Sequence, residues 1–167
     1  LTTESSKTDL ILYQQDSTSE LDIEIEIPDT FKQTIELSTM SGDIEAQHIS
    51  ANNLILKSES GEVEIQDTTA KSTSIEIVSG DISVKNSTVE KIVGKTISGN
   101  IEVENKSPSD MTLKTVSGSI DVKLVTGTNY IFDLKSMSGD VQNSYRNGTG
   151  KPYKLNISTM SGSVRVN

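Results

Sequence analysis

Apolar residues stand two apart in pairs of short runs, and each pair of runs flanks a Ser-Gly dipeptide that recurs seven times along the chain. Two and four residues after the glycine come Ile44 and Ala46, Val63 and Ile65, Ile82 and Val84, Ile101 and Val103, Ile120 and Val122, Val141 and Asn143, Val164 and Val166. Seven and five before it come Ile35 and Leu37, Leu54 and Leu56, Thr73 and Ile75, Ile92 and Gly94, Met111 and Leu113, Phe132 and Leu134, Leu155 and Ile157. A period of two marks a strand with one buried side. Each repeat therefore predicts strand, bend, strand and a short connection. On the same alternation Thr39, Ser58, Ile77, Thr96, Thr115, Ser136 and Thr159 point inward, where hydroxyls can bond one another or the bend backbone.

The glycines are Gly42, Gly61, Gly80, Gly99, Gly118, Gly139 and Gly162; the first five are 19 residues apart and the last two intervals are 21 and 23. Such a period belongs to an array of stacked coils. The glycine serves the bend itself, since a sharp arc between strands needs positive φ. Successive coils stacked in parallel at about 4.8 Å make a rod about 30 Å long. Ala51, Ala70, Val89 and Pro108 share an inward position at a tight corner. The fold expected is all-β: a single-stranded parallel β-helix of about seven coils.

Residues 31–167 carry the repeats, and residues 1–30 read as a lead with two capping strands, 9–15 and 21–27, closed by Pro28 and Asp29. The other end stops at Val166 and Asn167 inside a repeat strand. An open coil there would expose unpaired backbone and invite another strand, from further coils or from a neighbour.

A strand ending in proline at residues 22–28, then Thr-Met-Ser-Gly-Asp-Ile at 39–44, then repeated Ser-Gly-(Asp/Glu/Asn/Ser)-(Ile/Val) units resemble the bacterial adhesin-type β-solenoid family of unknown function. The likeness covers roughly residues 20 to 167. It implies a right-handed solenoid in the bacterial cell envelope or outside the cell, tethered by a segment outside this chain. It supplies no catalytic motif.

Composition narrows the chemistry. With no cysteine, no tryptophan and one histidine, His48, disulfide scaffolds, thiol nucleophiles and His-rich metal sites are excluded, and no cofactor is expected. A net charge of −9 argues against nucleic acid, which is bound by clustered Lys and Arg, and favours cationic partners. No run approaches the roughly 20 apolar residues of a membrane span.

Asp43, Glu62, Asp81, Asn100, Ser119, Asp140 and Ser163 follow the glycines. They are expected to cap the bends, because the Gly- and Asp-dense nine-residue calcium repeat is not present. Glu45, Glu64, Glu102 and Asp121 form an outward acidic stripe on the second strand, and Lys57, Lys95, Lys114 and Lys135 a basic one on the first. Two before the glycine stand Met40, Glu59, Val78, Ile97, Val116, Met137 and Met160. Strict alternation exposes that column and makes it an interface, whereas a twist at the bend would tuck it away.

The longer late repeats hold Tyr130, Phe132, Tyr145 and Tyr153 beside Arg146 and the turn-rich run 147–152. Tyr130, Tyr145, Arg146, Lys151 and Tyr153 are the candidate ligand residues; packing of the tyrosines on the last coils is the plain alternative. His48 falls in a connection with no Ser or Cys partner and reads as a surface residue. The expected function is a non-catalytic cell-envelope interaction module that binds a wall polymer, a protein or a cationic peptide. The alternatives are a structural solenoid that associates with itself through its open end or apolar stripe, and a glycan-active enzyme, which would need two carboxylates in a cleft.

Overall fold

The computed structural model describes residues 24–28 and 32–167. Its 13 strands pair only in parallel and wind as a β-solenoid of about seven turns. In chain order, coil 1 is β1 (Thr34–Ser41) and β2 (Ile44–Gln47), and coil 2 is β3 (Ser50–Ser60) and β4 (Val63–Gln66). Coil 3 is β5 (Thr69–Ser79) with the first part of β6 (Ile82–Lys95); the second part of β6 opens coil 4, which β7 (Ile101–Asn105) completes. Coil 5 is β8 (Asp110–Ser117) and β9 (Ile120–Lys123), coil 6 is β10 (Tyr130–Ser138) and β11 (Val141–Asn143), and coil 7 is β12 (Tyr153–Ser161) and β13 (Val164–Val166).

The predicted columns are the core. Ile82 registers on Ile101 and Ile101 on Ile120, and all three side chains are buried. Thr39 and Ser58 donate to the Ser41 and Ser60 carbonyls of their own bends, and the later inward hydroxyls bond the bend backbone of the coil below: Thr96 Oγ1 donates to the Gly80 carbonyl at 3.1 Å and Thr115 Oγ1 to that of Gly99 at 3.0 Å. Every repeat glycine has positive φ, from 120° to 155°. At the next corner His48, Asp67 and Asn86 adopt the left-handed conformation, with φ near 50°. Ala51, Ala70 and Val89 point inward as predicted, but Pro108 does not. Asn105 turns in at that corner, bonding the Val89 amide and carbonyl, and shifts the buried position to Ser109.

Stacking order departs from chain order at the far end. Coil 7 lies between coils 5 and 6: β12 pairs with β8 on one side and β10 on the other, and β13 pairs with β9 and β11. The glycine ladder reads the same way, since the Gly118 amide donates to the Ser161 carbonyl and the Gly162 amide to that of Ser138, both at 2.9 Å. The expectation of an open coil at Val166 and Asn167 is therefore wrong. Asn167 is held inside the stack, donating to the Val122 carbonyl and accepting from the Leu124 amide. Among the described residues coil 6 forms the end of the rod. Its polar inward residue explains the choice: Asn143 would be an unpaired amide in the apolar column at an interior level, and at the end it is exposed. The long late intervals are the two crossings, 124–129 past one level and 144–152 back.

Residues 24–27, the described part of the second expected capping strand, are not in a strand; Ile27 packs half-buried against the core. The first expected capping strand lies outside the described residues.

Thr73 occupies a core column between Leu54 and Ile92, fully buried, and its Oγ1 has no hydrogen-bond partner. Thr73→Val keeps the shape and removes the orphaned hydroxyl. It is expected to stabilise the rod by about 1 kcal/mol, read as a higher urea midpoint by circular dichroism; a lower midpoint would show that the hydroxyl is satisfied.

Candidate interaction surfaces

Alternation before each bend holds as far as the residue two before the glycine, so that column faces solvent. In stacking order it runs Met40, Glu59, Val78, Ile97, Val116, Met160, Met137, and its apolar members are 43–80% exposed. Of the two readings of this column, exposure is the one realised. The stripe is about 30 Å long at the interstrand spacing and is interrupted once, at exposed Glu59. A shallow depression there is lined by Met40, Lys57, Glu59, Glu76 and Val78 among others.

Beside the stripe, lysines pair along the stack. Lys57 Nζ lies 2.7 Å from Glu36 and Lys95 Nζ 2.7 Å from Glu76. Hydrogen bonding to Glu36 raises the Lys57 pKa, and the Lys95 hydrogen bond lowers that of Glu76. On the second face Lys85 pairs with Glu64 at 3.0 Å, which raises the Lys85 pKa. These pairs are solvent-exposed and contribute little to stability.

Of the residues that follow the glycines, Asp43, Asp81, Asn100 and Ser119 cap the next bend. Asp43 Oδ1 accepts from the Glu62 amide at 2.7 Å, Asp81 Oδ1 from the Asn100 amide at 2.6 Å and Asn100 Oδ1 from the Ser119 amide at 2.9 Å. Among the described residues no three His, Asp or Glu side chains are grouped to hold a metal ion.

The late aromatic residues meet at the far end. Tyr130 is buried, with the Tyr145 ring edge-on at 5.5 Å, Tyr153 at 5.9 Å and Phe132 at 6.1 Å. Tyr145 Oη accepts from the Thr128 amide and lies 2.6 Å from the Val125 carbonyl, so it staples the two crossings together. Burial pushes the Tyr130 pKa up to about 12, and its Oη has no hydrogen-bond partner among the described residues. Of the five candidate ligand residues, the structure gathers Tyr130, Tyr145 and Tyr153 as packing, and Arg146 and Lys151 lie on the exposed crossing beside them.

Residues 2–167 match the family model described as Toastrack DUF4097. The chain belongs to this family. No curated protein and no solved structure matches it. The Toastrack match extends over the lead as well as the coils, and the family is one of unknown function. No helix among the described residues of this Toastrack chain is long and apolar enough to cross a membrane. What sequence reasoning missed is the Glu59 rung as a charged gap in the stripe. Its signal was available, because Glu59 is the one charged residue in an otherwise apolar column.

Proposed function

We propose that this Toastrack rod is a non-catalytic, adhesin-like interaction module of the bacterial cell envelope, and that its partner is an extended cationic polypeptide laid along the Met/Val/Ile stripe. The observation that carries this reading is the exposure of Val78, Ile97 and Val116 on three consecutive coils. Aliphatic side chains held in line at strand spacing offer a partner a continuous apolar contact that costs the rod no rearrangement. Glu59 gives the stripe a fixed place for a cationic group, between Met40 and Val78. The net charge of −9 draws such a partner from a distance. A non-catalytic role accords with the use of acids in bend caps and exposed ion pairs.

The test is a titration of a labelled cationic amphipathic peptide, with sedimentation against isolated wall polymer in parallel. Saturable binding of the peptide is expected at low salt. Replacing Val78, Ile97 and Val116 together by Ser should weaken it by about tenfold or more, and Glu59→Lys should reduce its salt dependence. Binding to wall polymer alone would move the partner to a glycan, and binding to neither probe would refute the module.

A further inference from the structure

The end of the rod carries a self-complementary edge. On one side β10 pairs with β12; on the other, no strand among the described residues pairs with it. The Tyr153 amide donates to the Asn129 carbonyl, so the odd-numbered residues of β10 turn their backbone groups toward β12. The amides and carbonyls of Phe132, Leu134 and Ser136 therefore line the free edge, whereas those of Tyr130 are held by the Asn147 side chain. Below them the last coil leaves Phe132 and Leu134 half-buried and Val141 45% exposed, an apolar layer without a roof.

We infer that two copies of this chain join end to end by antiparallel pairing of β10 with β10 of the second copy, on a two-fold axis through Leu134. Centring on Leu134 uses the free backbone groups as hydrogen-bonded pairs, Leu134 with itself and Phe132 with Ser136 of the second copy. It also sets Asp133 opposite Lys135 of the second copy, twice by symmetry, in the closely spaced class of pair with Cα atoms about 4.5 Å apart. Within one chain these two side chains already pair at 2.9 Å and are exposed, so they can exchange partners without entering the core. A two-fold through Phe132 would instead set Asp133 against Ile131. Charge thus selects the register. Ile131 then meets Met137 of the second copy, and the apolar layers of the two end coils roof each other.

This contact lies at the end of the rod, and its test leaves the Val78, Ile97 and Val116 surface untouched. Sedimentation velocity over a concentration series should show a reversible dimer. Asp133→Lys and Lys135→Asp each set like charges opposite across the axis and should weaken the dimer about tenfold. The double variant D133K/K135D restores opposite charges and should recover wild-type association. Matching circular-dichroism melts would show that all three variants fold. A monomer at every concentration overturns the proposal, as does a dimer indifferent to the single reversals, or a double variant as weak as either single.

Discussion

Gly80→Ala is expected to destabilise the rod by about 4 kcal/mol or more, and Gly42→Ala by only about 1–3 kcal/mol, although both residues occupy the same column. The difference is positional. Both have positive φ, 143° and 120°, so each substitution bears the backbone strain that an L side chain suffers there. A Cβ on Gly80 would also overlap the carbonyl of Gly61 in the coil beneath, a backbone atom that cannot swing aside. Gly42 belongs to coil 1, and a Cβ there meets nothing within 4 Å among the described residues. Because the Gly80 amide also donates to Ser98, displacing this bend disturbs two coil interfaces. Urea midpoints of the two variants, compared by circular dichroism, check the claim. Equal losses would mean that the glycine is required only for its dihedral angle, and that close stacking of the bends contributes nothing.

The same column shows how far sequence carries. Strand, bend, strand could be read from apolar spacing, and so could the stacking of Ile82, Ile101 and Ile120, because a buried column at period two has only one way to repeat at 19 residues. Solvent exposure of Val78, Ile97 and Val116 followed from alternation alone, but a twist at the bend would have reversed it, and only the backbone path decides between them. Stacking order was harder to read. Coils 6 and 7 present nearly the same columns, so pairing rules that look at one coil at a time cannot rank them for the place on coil 5. Two local facts break the tie: Asn143 in an apolar column, and connections long enough to pass a level and return. The corner at Pro108 failed for a related reason, since Asn105 inserts a buried side-chain amide that a periodic reading has no means to anticipate.

Deleting residues 153–167 should damage the rod far more than deleting residues 1–48, although each removes one coil and each lies at an end of the chain. Among the described residues coil 1 pairs with coil 2 alone, and its Ile35 and Ile44 keep 7% and 8% exposure. Coil 7 has a neighbour on both sides, and its Leu155, Ile157, Val164 and Val166 are at most 1% exposed. Four fully buried aliphatic side chains represent roughly 6–12 kcal/mol of burial, comparable with the whole stability of an ordinary domain. Nearest-neighbour additivity sets the loss of two interfaces against the loss of one. Hydrogen exchange should then show the amides of β10 and the crossing 124–129 losing protection together, because among the described residues β10 pairs with β12 alone and the Leu124 amide donates to Asn167 of coil 7. A synthetic peptide of residues 153–167 should restore that protection by strand insertion between coils 5 and 6. If the deletion leaves β10 as protected as before, coil 6 has dropped onto coil 5, and the insertion of coil 7 is dispensable to the fold.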